Sequence, residues 1–234
     1  MAFGAVKGTL VGSNASIPNP FVATGSVAVA VGDLIVVLVT ERVSLTAGTV
    51  TDNLGHTYTA QNAGTDGGNA TGKAYWKIAT AAGTLTSVSA ATTPSTDDAG
   101  IGAVVYEGAF NASPLDASPA NVASATAPFT GPATGVLAQA DELVVNWWAG
   151  TPGVAAPTSS VGTVNVIPGT TGANSQNGAI ASLVVSATTS TQATWTASGA
   201  ASAIEGVMTF KKAAGGAATS LLRAPPSFLH MLIR

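Results

Sequence analysis

The chain alternates between short apolar or period-two segments and turn sequences. Residues 26–31 alternate with a period of two, Gly32-Asp33 marks a turn, and residues 34–39 are continuously apolar. Alternation predicts a half-buried strand, and a short apolar run between turn signals predicts a strand that is buried on both faces. We therefore predict two consecutive strands here, the second of them fully buried.

The same kind of pattern recurs along the body of the chain. Asp52-Asn53-Leu54-Gly55 has the composition of a turn, and residues 64–72 that of a loop tip. About ten to twelve short strands separated by turns predict an all-β protein, an antiparallel β-sandwich of the jelly-roll kind. The other predicted strands are 49–51, 56–59, 74–78, 84–89, 101–107, 141–148, 162–166, 179–185, 193–196 and 204–210.

Residues 111–140 are rich in Pro, Ala and Ser and show weak periodicity. They are either a long connection or a meander of irregular edge strands, and the choice between one domain and two depends on them. Sandwiches of this length often form one domain, so we predict a body over residues 1–212. Residues 213–234 are predicted to be a linker and an extended tail.

Two segments of the body resemble each other. Gly32-Asp33-Leu34-Ile35-Val36-Val37 and Ala140-Asp141-Glu142-Leu143-Val144-Val145 both place an acid just before an apolar strand. This similarity indicates either a shared way of entering a strand or an internal duplication. We favour the first interpretation, because no other pair of segments is similar at the same separation along the sequence.

The composition argues against several classes of function. Only 8% of residues are charged, against about 25% in typical domains, and the net charge is −3. Such a chain has no general attraction for nucleic acids. Its longest apolar run is too short to insert into a membrane, and its first residues do not resemble a signal peptide. There are no cysteines and only two histidines, His56 and His230, so no metal-binding spacing is present and we predict no cofactor.

The sequence does not predict an enzyme. It contains no Gly-x-Ser-x-Gly motif, and adjacent acids such as Asp141-Glu142 point to opposite faces of a strand. The acids Asp66, Asp97 and Asp98 lie in predicted loops but lack the spacing of a calcium-binding loop. His56 follows a turn, and we expect it to be a solvated strand residue.

The end of the chain differs from the body in composition. Residues 213–220 are small and predict a flexible linker. The last 14 residues are apolar and basic, which predicts a segment that docks on a partner, although a terminal strand that covers the chain's own core would have the same composition. The predicted docking residues are Leu221, Leu222, Arg223, Phe228, Leu229, Met231, Ile233 and Arg234.

Trp147 and Trp148 are adjacent in a predicted strand. Neighbouring side chains on a strand point to opposite faces, so we predict that one indole points inwards and the other outwards. The outward ring would contact a glycan or another subunit. In the alternative interpretation, both rings are packed in the core.

Several short motifs between residues 26 and 212 carry a resemblance to known proteins. They are Val50-Thr51-Asp52-Asn53-Leu54-Gly55-His56-Thr57-Tyr58, Ala74-Tyr75-Trp76-Lys77, Val104-Val105-Tyr106-Glu107-Gly108-Ala109, Pro114-Leu115-Asp116, Asp141-Glu142-Leu143-Val144-Val145 and Met208-Thr209-Phe210-Lys211. This set resembles tailed-bacteriophage virion structural proteins of the β-sandwich kind. The resemblance implies a capsid decoration, a fibre or a tail component, and it transfers no catalytic residue.

The sequence therefore favours a structural protein that assembles on a phage particle in the host cytoplasm. The expected partners are other virion proteins and further copies of the chain, together with a host-surface glycan if the chain is adhesive. The alternative function is a carbohydrate-binding or adhesive module that uses Trp147 or Trp148.

Overall fold

The computed structural model describes residues 2–14, 16–42, 47–66, 70–94, 96, 98–119, 121–124, 126–151, 157–167 and 176–214. These residues form seventeen β-strands. None of them belongs to a helix that is long and apolar enough to cross a membrane.

The first eight strands form one antiparallel sheet in the order β4-β7-β2-β1-β8-β3-β6-β5. We call them the first unit. The strands are β1 (Val6–Asn14), β2 (Phe21–Val29), β3 (Leu34–Glu41), β4 (Val50–Asp52), β5 (Thr59–Thr65), β6 (Thr71–Ile78), β7 (Gly83–Ala90) and β8 (Ala99–Tyr106).

The remaining strands form the second unit, which has two sheets. The larger sheet has the order β10-β17-β12-β15-β14, with β9 also pairing with β17, and the smaller has the order β11-β16-β13. The strands are β9 (Phe110–Leu115), β10 (Val122–Ser124), β11 (Phe129–Thr130), β12 (Glu142–Thr151), β13 (Thr158–Ser159), β14 (Thr163–Ile167), β15 (Asn177–Val185), β16 (Thr194–Thr196) and β17 (Ser202–Lys212).

The two units have the same strand order. If β9 and β10 are counted as one interrupted first strand, each unit has a group of strands in the order 1-8-3-6-5, which we call its larger sheet, and a group in the order 4-7-2. In the first unit the pairing of β1 with β2 joins the two groups into one continuous sheet, and in the second unit they are separate. Every pairing is antiparallel, and the order is that of a jelly roll with its fifth strand on the edge of the larger sheet. The predicted all-β, jelly-roll-like sandwich is therefore confirmed, and it occurs twice.

The register of the strands repeats as well. In the first unit Leu34 lies opposite Tyr106 and Ile78, and in the second unit Leu143 lies opposite Phe210 and Val184. Leu34 and Leu143 are therefore equivalent, as are the strands on either side of them.

A buried acid precedes both of these leucines. Asp33 Oδ2 accepts a hydrogen bond from the Ala30 amide at 2.7 Å, and Glu142 Oε1 accepts one from the Gln139 amide at 3.1 Å. The residue before each acid has a positive φ, 93° at Gly32 and 58° at Asp141. The shared strand entry that the sequence predicts is present, but the similarity is not confined to it, because the whole topology repeats.

A short sequence similarity is also visible where the two units begin. Ala2-Phe3-Gly4-Ala5 begins the first unit and Ala109-Phe110-Asn111-Ala112 begins the second. The rings of Phe3 and Phe110 pack against each other, with centroids 4.8 Å apart, so the beginnings of the two units are in contact.

The larger sheets of the two units pack face to face. Their shared core, which we call the interunit core, contains Leu34, Val36, Leu38, Ala74, Val104, Tyr106, Leu143, Val145, Trp147, Ala149, Ile180, Ile204, Met208 and Phe210. The contacts are reciprocal: β6 touches β12 and β17, while its equivalent β15 touches β3 and β8. The units are therefore related by an approximate two-fold axis, like the subunits of a symmetric dimer.

Each unit also has an inner core on the other face of its larger sheet. In the first unit it includes Ile35, Val37 and Val39 of β3, packed with residues of β2, β4 and β7. In the second unit Trp148 packs with Phe129 and Trp195 of the smaller sheet. All of β3 is buried, which confirms the prediction for residues 34–39.

Two sequence-based assignments change, and a third that was left open is decided. The sequence did not predict β1, because its exposure along Val6–Asn14 follows no period of two. The predicted loop tip at 64–72 is shorter, since β5 continues to Thr65 and β6 begins at Thr71. Residues 111–140 contain the short strands β10 and β11 and most of β9, which agrees with the meander of edge strands.

Gly206 is required by the packing of the interunit core. A Cβ at this position would overlap the indole of Trp147, which has no room to withdraw because it is fully buried. We expect Gly206→Ala to lower the free energy of unfolding by about 1–3 kcal/mol, measured by chemical denaturation.

Gly48→Ala is the control, because its Cβ would meet only the Ala91 carbonyl oxygen at an ordinary 3.5 Å. Equal stability of the two variants would contradict this account of the interunit core.

Candidate functional site

The molecule has two different ends. At one end Lys7 forms an ion pair with Asp33 at 2.6 Å, and β17 finishes at Lys212, whose ammonium lies 3.5 Å from Asp141. Phe3 lies at the same end, with the Lys212 ammonium 5.7 Å from its ring centroid. We call this the terminal end, because the first residues and the last strand both lie there.

The opposite end carries connections from both units, and we call it the loop end. Gln176, at the start of β15, donates a hydrogen bond from Nε2 to the Thr71 carbonyl at the start of β6, at 3.3 Å. The two units therefore present neighbouring connections. In the described part of the chain these include residues 16–20, 47–49 and 91–94 from the first unit and 126–128 and 197–201 from the second.

The charges of the loop end belong to the first unit. Among the described residues, the connections of the first unit contain Arg42, Asp66 and Asp98, and those of the second unit contain no charged residue. Asp66 Oδ1 accepts a hydrogen bond from the Ala70 amide at 2.8 Å, so this acid stabilises its own loop. Asp97 lies outside the described residues. Within those residues, no three His, Cys, Asp or Glu side chains come together as metal ligands would.

Two polar side chains, Tyr75 and Lys73, hold one connection of the loop end in place by hydrogen bonds. The hydroxyl of Tyr75 and the ammonium of Lys73 both donate hydrogen bonds to the Ala47 carbonyl, at 3.0 and 3.1 Å. Burial and the negative charge of Glu41 raise the pKa of Tyr75 above its ordinary value of 10. The phenol therefore stays neutral and keeps its proton as a donor, and the group fixes the position of residue 47.

His56 lies in a buried hydrogen-bond network, and the prediction that it is solvated is wrong. Asp52 Oδ2 is 2.8 Å from both His56 Nδ1 and the Tyr58 hydroxyl. His56 Nε2 accepts hydrogen bonds from the amides of Thr80 and Ala81, both at 3.1 Å. An acceptor nitrogen carries no proton, so the imidazole is neutral and protonated on Nδ1.

The network joins two turns and leaves no free acid or base. Asp52 Oδ1 also accepts the amides of Leu54 and His56, which closes the 52–55 turn. A general base needs a nitrogen that can reach a substrate proton, and both nitrogens of His56 are occupied. The sequence signal for this network is an Asp four residues before a His at a turn, which the sequence analysis overlooked.

Trp147 and Trp148 are both fully buried, at 0% and 1% exposure. The two rings do point to opposite faces of β12. However, Trp147 packs in the interunit core and Trp148 in the inner core of the second unit. The prediction that one ring points outwards is therefore wrong, and neither indole can stack on a glycan in this conformation.

The predicted docking residues, Leu221 to Arg234, lie outside the described residues. The structure does show where the preceding chain leaves the fold. β17 ends at Lys212, and the Ala213 amide donates a hydrogen bond to the Ala109 carbonyl at 2.6 Å. The tail therefore begins at the terminal end, on the side of the molecule away from the loop end.

Comparisons with known proteins gave no match, whether with family models, with curated proteins or with solved structures.

The His56 network is testable as a stabilising element. His56→Ala would leave the Thr80 and Ala81 amides without their acceptor, and each unsatisfied buried group costs about 1–3 kcal/mol. We expect a loss of unfolding free energy of at least about 2 kcal/mol in a denaturation experiment at neutral pH.

Tyr58→Phe is the comparison variant, for which we expect a smaller loss of unfolding free energy than for His56→Ala. It removes one hydrogen bond from Asp52 and leaves the other contacts of that carboxylate in place, so we expect a loss of about 1 kcal/mol. If His56→Ala were no more damaging than Tyr58→Phe, His56 would not be the centre of the network.

Proposed function

We propose that this chain is a structural virion protein that assembles on a phage particle, as a capsid decoration or as a component of a head or tail fibre. It is anchored through residues 213–234. The observation that carries the proposal is where β17 ends: it finishes at the terminal end of a body whose cores are enclosed by their own sheets, and an apolar, basic stretch of sequence follows it.

The cores of the described body have a layer on each side. The interunit core lies between the two larger sheets, and each inner core lies between strands of its own unit. The tail is not needed as a layer for any of them. The large hydrophobic side chains that are exposed in the described part of the chain are the valines Val6, Val31, Val122, Val136 and Val184.

The tail, by contrast, is dense in large apolar residues. Seven of its last 14 residues are Leu, Phe, Met or Ile. A segment of this composition gains free energy by leaving water, and a complementary groove on another subunit provides such a site. This argument favours docking over the alternative in which the tail covers the chain's own core.

The charges support the same role. Up to Lys212 the chain has six basic and eleven acidic residues, whereas the tail has Arg223 and Arg234 and no acid. A basic tail is attracted to acidic surfaces, and the bodies of further copies of this chain are acidic. Attachment at the terminal end would leave the loop end directed away from the particle.

The phage assignment itself rests on the resemblance of the sequence motifs given above. The competing function, a carbohydrate-binding module, was suggested by an exposed indole at Trp147 or Trp148. Both side chains are buried, so this argument for the competing function no longer applies. We therefore keep the structural role as the proposed function.

The proposal is tested by light scattering coupled to size-exclusion chromatography. We expect the full chain to form a defined oligomer and a chain ending at Lys212 to be a folded monomer. A full-length variant with Phe228, Leu229 and Ile233 replaced by Ser should also be monomeric. Replacing the tail's polar residues at positions 219, 220 and 227 by Ala is the matched control, and it should keep the oligomer.

Circular dichroism of the shortened chain reports on folding. A native β-sheet spectrum and thermal midpoint are expected for it. Two results would count against anchoring through the tail: oligomers of the same size with and without residues 213–234, or loss of the fold when they are removed.

A further inference from the structure

Glu205 is a fully buried acid with few partners. On β17 it lies opposite Trp148 of β12 on one side and Val122 of β10 on the other. The Ser124 hydroxyl donates a hydrogen bond to Oε2 at 3.4 Å, near the long limit for such a bond. Oε1 has no hydrogen-bond partner among the described residues.

The repeat shows that the fold does not require an acid at this position. Tyr106 and Phe210 are equivalent in register, so Ile101 in the first unit is the equivalent of Glu205. Ile101 is fully buried in the inner core of its unit. The second unit therefore carries a carboxyl group where the same architecture is stable with an aliphatic side chain.

The strand that pairs with the free edge of β17 beside Glu205 also differs between the two units. In the first unit β1 pairs with β8 along Val6–Asn14. In the second unit the corresponding strand is interrupted, and only the three residues of β10 pair with β17 beside Glu205. Val122 and Ala123 of β10 are exposed, so little apolar burial holds this short strand in place.

No neighbouring charge compensates for ionisation of Glu205. The elements β10, β11 and β16 contain no ionisable residue. On β12 and β17 the other ionisable residues are Glu142, Lys211 and Lys212, about 20 Å away at the terminal end of the sheet. Burial accordingly raises the pKa of Glu205 from 4.5 to about 8.

We propose that Glu205 is a proton-dependent latch that controls the docking of β10 on the edge of the second unit. With its proton, the carboxyl group is neutral and remains buried beside β10. Without it, the carboxylate gains hydration when β10, the three-residue edge strand that pairs with β17 beside Glu205, leaves the sheet, which uncovers the backbone of β17 at residues 203–205. This inference does not depend on the proposed virion function.

The direction of the pH effect follows from linkage. The docked state binds the proton more tightly than the open state, in which the carboxyl group is in water with a pKa near 4.5. Docking is therefore most stable below pH 4.5 and weakens as the pH rises towards 8. The equilibrium constant for opening, which is the ratio of the open to the docked state, should increase by about tenfold per pH unit within this window and become constant above it.

Hydrogen exchange of the full-length protein tests the latch. We expect the protection factors of the β10 amides, corrected for the intrinsic effect of pH on exchange, to fall by about tenfold per pH unit between pH 5 and 8. The amides in the middle of β12 serve as the internal reference, and their protection should change far less.

Two variants remove the titrating group. Glu205→Gln keeps the shape, and Glu205→Ile introduces the residue type of the equivalent position, Ile101. In both variants, the protection factors of the β10 amides should no longer depend on pH. Glu107→Gln is the control, because it removes an acid at the terminal end, and it should keep the dependence of the unmodified protein.

Carbon-13 NMR of the carboxyl group in the unmodified protein gives a second measurement that needs no variant. A titration midpoint for Glu205 near 8 is expected. The latch is excluded by a midpoint near 4.5, by β10 protection that is constant between pH 5 and 8, or by a dependence that persists in Glu205→Gln.

Discussion

The face-to-face packing of the two larger sheets is the constraint on which the rest of the structure depends. β3 and β12 lie inside their sheets and are buried on both faces, so each needs an apolar layer on two sides. The partner unit supplies one layer and the unit's own outer strands supply the other. The interior therefore has three layers of apolar side chains, and the two units stabilise each other through the middle one.

This constraint explains which features the sequence could predict. The strands at 34–39 and 143–148 were recognisable because burial on two faces leaves few polar residues at either set of alternating positions, and Asn146 is the one polar residue among them. The strands from β9 to β11 were not, because they lie at the edges of their sheets. β1 lies between β2 and β8, but its exposure follows no period of two. The duplication was hidden for a related reason. Equivalent positions keep their register but exchange residue types, as with Leu38 and Trp147 or Ile101 and Glu205.

The side chains of chemical interest were harder to predict than the strands. His56 is defined by its contacts with Thr80 and Ala81, which are about 25 residues away along the chain. No local pattern indicates such contacts. For Trp147 and Trp148 the alternation of side chains was predicted correctly. The error was to assume that the second face of β12 meets solvent, when a further sheet covers it.

The two units also show how one architecture can serve two purposes. In the first unit a continuous β1 seals the edge of β8, and an aliphatic residue fills the core beneath it. In the second unit the equivalent strand is broken and a carboxyl group occupies the equivalent site. Stability alone favours the first arrangement, because an ionisable group in an apolar core costs free energy that isoleucine does not. A conformational role for the β10 edge would require a buried carboxyl group beside it, and only the second unit has one. The first unit, with isoleucine at the equivalent position, keeps its edge closed and the body folded.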